Sequence, residues 1–191
     1  MSTNIRPADL IHKYYDNSPQ ARQILLEHSR QVTRRALKVG RQLQRSERIE
    51  IDLQFIAEAA MLHDIGMIQT NTPALGCFGK GSYLRHGIAG RAILENEGFP
   101  KHALVCERHI GIGLTASEIH EQRLPLPERD MLPISIEEQI ICYADLFYSK
   151  NEKKLGEEKT VDTVRESLRK YGENKLVVFD QWQRHFEPEL N

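Results

Sequence analysis

The chain has little that would mark it for an oxidising compartment or a bilayer. Its three cysteines (Cys77, Cys106 and Cys142) are an odd count with no CxxC spacing, so neither a disulfide framework nor a cysteine zinc site is expected. No apolar run approaches the roughly 18–20 residues that span a membrane. The opening Met1-Ser2-Thr3-Asn4 has no charged segment leading into an apolar one, and the expected compartment is the cytoplasm. Neither sign of charge dominates: 26 Lys+Arg stand against 27 Asp+Glu, for a formal net charge of -1. That balance argues against a general nucleic-acid coat. Strand-like alternation, internal repeats and low-complexity tracts are absent, and aromatics are only 7%. With 40% hydrophobic and 28% charged residues over 191 positions, the chain is expected to bury its own core as one domain, residues 1–191.

What is present is helical periodicity and eight histidines. Residues 18–45 carry an apolar stripe at Leu25, Val32, Ala36, Val39 and Leu43, started by Ser18-Pro19. A second helix fits 52–64, capped by Asp52 and ended by Gly66. Residues 69–82, rich in Gly and Pro, read as a loop. Further helices fit 83–97, 100–110, 115–122, 135–149, 157–171 and 175–186. The helix holding Ile140-Ile141-Cys142-Tyr143-Ala144 is apolar nearly all round, which places it at the centre of a bundle. The charge-rich stretch 150–160 reads as a solvated connection. The fold expected is all-α, a helical bundle of about 7–9 helices. Its core is about residues 20–150, and the helices of about 155–188 pack on it.

Several histidines and two aspartates stand where core residues belong. His28 lies on the stripe between Leu25 and Val32. His63 shares a face with Ile56 and Ala59, and Asp64 follows it. His86 aligns with Ala89 and Ile93, and His109 with Val105 and Cys106. Asp145 lies inside the most apolar run. A buried carboxylate is costly unless paired or metal-bound, and imidazole with carboxylate suits iron, manganese or zinc. Bundles build such sites by projecting ligands inward from several helices. Six candidate ligands exceed one tetrahedral site but suit two ions about 3.5–4 Å apart, with Asp64 bridging.

These residues carry a resemblance. Leu62-His63-Asp64-Ile65-Gly66 resembles the signature of the HD superfamily of metal-dependent phosphohydrolases. His28 before it and Asp145 after it match that family's order, over about residues 20–150. His86 and His109 resemble the additional ligands of its dinuclear branch, whereas mononuclear nucleotidase-like members have only the four-ligand set. Glu107-Arg108-His109-Ile110-Gly111-Ile112-Gly113-Leu114-Thr115 is similar to small uncharacterised HDIG proteins of bacteria and archaea. Cyclic-dinucleotide phosphodiesterases of the HD-GYP type usually have Lys after His-Asp-Ile-Gly. Here Met67 stands in that place, and no Gly-Tyr-Pro segment follows. Members that cleave dinucleoside polyphosphates share the six-ligand order and are the nearest functional analogy.

The resemblance implies a hydrolase of a phosphoester or phosphoanhydride, with a metal-bound hydroxide as nucleophile. The expected substrate is a small phosphate compound such as a nucleotide. The expected cofactors are two divalent ions, Fe or Mn ahead of Mg, Ni or Zn. Asp64 would bridge, and His86 or His109 would orient the leaving group or complete the second metal site. Lys80, flanked by Gly79 and Gly81, is the first candidate for substrate phosphate, with Arg85, Arg108 and Arg35 beside it. The loop 67–83 and the stretch 113–134 are expected to shape the pocket. A basic stripe (Arg30, Arg34, Lys38, Arg41, Arg45, Arg48) reads as a solvated face, and a nucleic-acid or membrane partner is not expected. Two other readings remain open: a di-iron oxygenase of the kind that cleaves inositol or phosphonates, with the same ligand order, and a nucleotide-binding module that keeps metal without turnover. The other histidines, His12, His102, His120 and His185, are expected at the surface or behind the ligands.

Overall fold

A computed structural model describes residues 5–190. Met1–Asn4 and Asn191, which the domain bounds and the N-terminal reading include, lie outside the described residues. Among the described residues there are nine α-helices: α1 (Pro7–Tyr15), α2 (Pro19–Ser46), α3 (Leu53–Leu62), α4 (His86–Asn96), α5 (Pro100–Arg108), α6 (Ala116–Glu121), α7 (Ile136–Asp145), α8 (Val161–Arg169) and α9 (Glu173–Phe186). The fold is all-α apart from β1 (Asn71–Thr72) and β2 (Cys77–Phe78), an antiparallel pair inside the expected loop. No helix among the described residues is long and apolar enough to cross a membrane.

The start signals act where the sequence places them. Asp52 accepts a hydrogen bond from the Phe55 amide at 2.8 Å. Ser135 and Thr160 cap α7 and α8 in the same way. Ser18 takes the cap position of α2 but makes no side-chain cap bond, so the preset φ of Pro19 is the stronger contribution there. Helix α1 has no counterpart in the sequence reading. It opens with Pro7 and buries Ile11 and Tyr15.

Gly66 does not end α3, which stops at Leu62. It lies in a short 3₁₀ turn, Ile65–Gln69. A Cβ at Gly66 would sit 2.1 Å from both the Gly90 amide nitrogen and the His86 carbonyl oxygen. Its role is therefore close approach, allowing α4 to lie directly against the turn that follows His63-Asp64. Tyr15 braces the same turn: its hydroxyl donates to the Ile65 carbonyl at 2.9 Å and accepts from the Ile68 amide at 3.0 Å.

Two main apolar clusters form the core. The larger joins Val32, Val39 and Leu43 of α2 to Ile56 of α3, Ile140 and Tyr143 of α7, and Phe179 and Phe186 of α9. The second joins Ile11 and Tyr15 to Leu25, Leu62, Ile65, Leu94 and Cys106. All three cysteines are buried free thiols. His28 falls between Leu25 of one cluster and Val32 of the other, and His63 follows Ala60 and Leu62, one from each. The polar cluster thus lies at the seam where the two apolar cores meet. Helices α8 and α9 add Val164, Leu168, Leu176 and Trp182 to the larger core.

Candidate metal centre

Five segments bring the six residues together. His28 projects from the buried stripe of α2, and His63 and Asp64 follow the last turn of α3. His86 opens α4, His109 follows α5, and Asp145 closes α7. Four ligand atoms, one each from His28, His63, Asp64 and Asp145, lie within 4.8 Å of one another, and so do three from Asp64, His86 and His109. Asp64 belongs to both groups through different oxygens. Its Oδ2 lies 3.2 Å from His28 Nε2 and 3.0 Å from His63 Nε2. Its Oδ1 lies 3.2 Å from His86 Nε2 and 3.4 Å from His109 Nε2. Asp145 Oδ1 completes the first group at 2.9 Å from His28 Nε2.

Three imidazoles are oriented from behind. The Nδ1 atoms of His63, His86 and His109 meet the carbonyls of Ala60, Tyr83 and Cys106 at 2.7, 2.6 and 2.8 Å. A carbonyl can only accept, so Nδ1 carries a proton and Nε2 is the ring atom turned toward the cluster. Tyr83 also stacks on His86, with ring centroids 4.7 Å apart.

This donor set fits divalent ions. Both Asp64 oxygens and Asp145 Oδ1 are buried and close to several Nε2 atoms without a hydrogen bond of acceptable direction, and the one cation at the cluster, Lys150, lies 2.6 Å from Asp64 Oδ2 alone. Nitrogen and oxygen lone pairs that converge without pairing are what a ligand shell presents, and buried polar groups are seldom otherwise left so. The mixed imidazole and carboxylate set, without thiolate, suits Fe, Mn or Zn.

Sequence reasoning missed Lys150. It falls in the stretch read as solvated, yet its side chain is only 13% exposed and its Nζ lies 2.6 Å from Asp64 Oδ2. Five residues after Asp145, it is turned inward by the chain as it leaves α7. Burial opposes charge on Asp64, but Lys150 and then His63 outweigh it and hold the carboxyl well below its usual range. Asp145 is held low in the same way. Burial also opposes charge on His63, yet Asp64 and Asp145 raise its pKa to about 10. His86 goes the other way, lowered to about 4, chiefly by burial. With Nδ1 bonded to a carbonyl, an ion can bind His63 only through a deprotonated Nε2, and the two aspartates favour a proton there. Metal affinity is expected to rise with pH, by up to about tenfold per unit for each proton released. Calorimetry of Mn²⁺ binding in buffers of different ionisation enthalpy measures that proton release, and an affinity flat between pH 6 and 8 would contradict it.

The four cations assigned to substrate do not join this cluster. Arg35 is buried and pairs with Glu158 at 2.5 Å and with Glu187, its guanidinium 3.4 Å from the Phe147 ring centroid. Arg108 pairs with Glu138 at 3.1 Å, and Arg85 donates to the Pro125 carbonyl at 2.6 Å. Lys80 is exposed. The neighbouring Gly79 is required by its own chain, because a Cβ there would lie 2.1 Å from the Gln69 carbonyl oxygen. Spacing from a histidine does not determine these directions; the nearest carboxylate or carbonyl does. Arg35→Ala leaves Glu187, which also accepts from Tyr143 at 3.0 Å, buried without its main partner. The expected loss is about 3–5 kcal/mol of stability, with metal content unchanged, measured by urea unfolding and elemental analysis. Of the remaining histidines, His102 meets Glu58 at 3.1 Å, His120 meets Glu128 at 3.2 Å and His185 meets Glu47 at 2.8 Å. His12 lies 3.3 Å from Arg22.

A cleft of about 570 Å³ opens onto the cluster, with Tyr83, Asp145 and Lys150 in its wall. The stretch 113–134 contributes Gly113, Leu114, Glu118, Gln122 and Leu124. The loop 67–83 contributes only Tyr83, and α8 supplies a wall that sequence reasoning did not assign.

The HD domain profile matches residues 25–150, and the chain belongs to the HD domain family. An uncharacterised protein of Methanocaldococcus jannaschii is 35% identical over 122 residues, which are 63% of this chain and 64% of that protein. A tRNA (cytidine(56)-2'-O)-methyltransferase of Picrophilus torridus is 32% identical over 67% of this chain and 32% of its own length. The enzyme of the same name from Thermoplasma volcanium is 28% identical over 82% of this chain and 39% of its own. The chain thus spans less than two thirds of each of these relatives. No solved structure matches the chain.

Proposed function

We propose that the protein is a metal-dependent phosphohydrolase that cleaves a small phosphoester or phosphoanhydride at a two-metal centre. The observation that carries this reading is Asp64, whose two oxygens serve two separate ligand groups, His28-His63-Asp145 and His86-His109. Divalent ions bound there would supply Lewis acidity toward a phosphoryl oxygen and lower the pKa of a water. The chain holds three of the candidate ligands in place through backbone carbonyls, buries the cluster among apolar residues and leaves an approach open beside Asp145. The Asp145 side chain is 15% exposed while those of His28, His63 and Asp64 are fully buried, so a phosphate reaches the cluster from the Asp145 and Lys150 side. Lys150 and Lys159 line that approach and bring positive charge to an incoming anion. Hydrolysis adds the water oxygen to phosphorus and breaks the bond to the leaving oxygen, which departs with a proton. The reading rests on this cluster and not on the methyltransferase name carried by two longer relatives.

The test is elemental analysis of protein purified without chelator or histidine tag, followed by phosphate release after anaerobic loading with Mn²⁺ or Fe²⁺. About two ions per chain and phosphate release without oxygen are expected. About one ion would overturn the two-metal assignment. Turnover that requires oxygen would replace the hydrolase with an oxygenase on the same ligands. Nucleotide bound but never cleaved, with any metal, would leave a binding module.

A further inference from the structure

The HD profile ends at residue 150, but the cleft over the cluster does not. Val164, Ser167 and Leu168 of α8, with Tyr171 and Lys175 after it, line the cleft together with Leu84, Ile112, Leu114 and Leu146. That wall is anchored, since Val164 and Leu168 are themselves core residues. Of the three lysines that line the cleft, Lys159 alone has no carboxylate partner among the described residues, and it lies beside Lys150 at the cluster. At the inner end, Lys150 reaches Asp64, and the Lys159 ammonium donates to the Leu146 and Tyr148 carbonyls at 3.0 and 3.4 Å. Lys159 therefore keeps a third N–H for a ligand. Lys175, itself buried, is neutralised by Glu118 at 2.6 Å and held by the Gly113 carbonyl at 2.9 Å. The rest of the lining is mostly aliphatic, with the 68% exposed Tyr171 the part most open to solvent. A volume of about 570 Å³ is far more than a bare phosphate fills and lies within the usual range for small-molecule sites.

We infer that α8 and the segment after it form a specificity wall, and that the cleft takes a phosphomonoester whose organic part is bulky and apolar or aromatic. The phosphate lies at the Lys150 and Lys159 end and the organic group lies under α8. This rests on the phosphohydrolase reading for the position of the phosphate and adds the nature of the group attached to it. A long polyphosphate chain finds no cation in the lining beyond Lys150, Lys159 and the already paired Lys175, and a polar sugar alone leaves the aliphatic lining uncovered.

Binding to the Mn²⁺-loaded protein by calorimetry tests this with 1-naphthyl phosphate, glycerol 2-phosphate and inorganic phosphate. Naphthyl phosphate is expected to bind at least about tenfold more tightly than the other two, a factor worth about 1.4 kcal/mol. Ser167→Trp, an exposed helical position on the cleft wall, is expected to weaken the naphthyl ester at least fivefold more than inorganic phosphate. Tyr171→Ser, at the exposed rim, shifts the same ratio without entering the core. Equal binding of the three compounds, or a ratio that neither variant moves, overturns the specificity wall and leaves the phosphohydrolase reading in place. Failure of every phosphate compound to bind the metal-loaded protein overturns both.

Discussion

Asp64→Asn is expected to cost the protein both ions and to lower turnover by about 10³-fold or more, or about 4 kcal/mol of barrier. Among the described residues no other candidate ligand belongs to both groups: Oδ2 faces His28 and His63, and Oδ1 faces His86 and His109. An amide keeps one oxygen and turns a donor toward imidazole nitrogens that present lone pairs. It also removes the negative charge that two divalent ions would share. Replacing His109 alone deletes one ligand from one group and should cost mainly one ion. Elemental analysis and phosphate release on the two variants make the comparison. Retention of two ions and near-normal turnover in Asp64→Asn would remove the bridging role.

Lys150→Met is expected to destabilise the protein by about 3–5 kcal/mol when it is prepared without metal, and much less once Mn²⁺ is bound. The Lys150 ammonium stands 2.6 Å from Asp64 Oδ2, and its charge helps to hold Asp64 and Asp145 ionised against burial. Methionine fills similar space without charge and leaves two carboxylates facing one another. Divalent ions restore the missing positive charge, so the stabilisation by metal should be larger in the variant than in the wild type. Lowering the pH acts in the same direction, because a protonated carboxyl no longer needs the ammonium. Urea unfolding with and without Mn²⁺, at neutral and mildly acidic pH, measures both effects. Equal stability of variant and wild type without metal would show that Lys150 does not balance the cluster.

Helix positions and the inward-facing polar residues were legible because both follow from periodicity. A histidine or aspartate at a stripe position, such as His28 between Leu25 and Val32, must face the core whatever packs there. The six residues that the sequence pattern groups lie together for that reason, each on or at the end of a helix whose buried face is apolar. Helix α1 was not legible. Pro7 and the apolar residues after it mark a short helix, but it is the Tyr15 hydroxyl bonded to the Ile65 carbonyl and the Ile68 amide that gives this helix its place beside the site.

Some features depend on the fold as a whole. Gly66 reads as a helix end and proves to be a spacer, because its neighbour is an α4 backbone twenty or more residues away. Lys80, Arg85, Arg108 and Arg35 sit near glycines or histidines in sequence, but a long flexible cation goes to the nearest acceptor in space. Arg35 finds Glu158 and Glu187, and Arg108 finds Glu138. Lys150 lies in an irregular, charge-rich stretch where no period fixes a direction, and only the turn after Asp145 brings it to Asp64. The sequence by itself determined most of the helices and which histidines and aspartates face inward, since both are set by the local repeat of apolar and polar side chains. Only the tertiary structure decided which cations meet the cluster and which helix closes the cleft, since both depend on contacts between segments far apart in the chain.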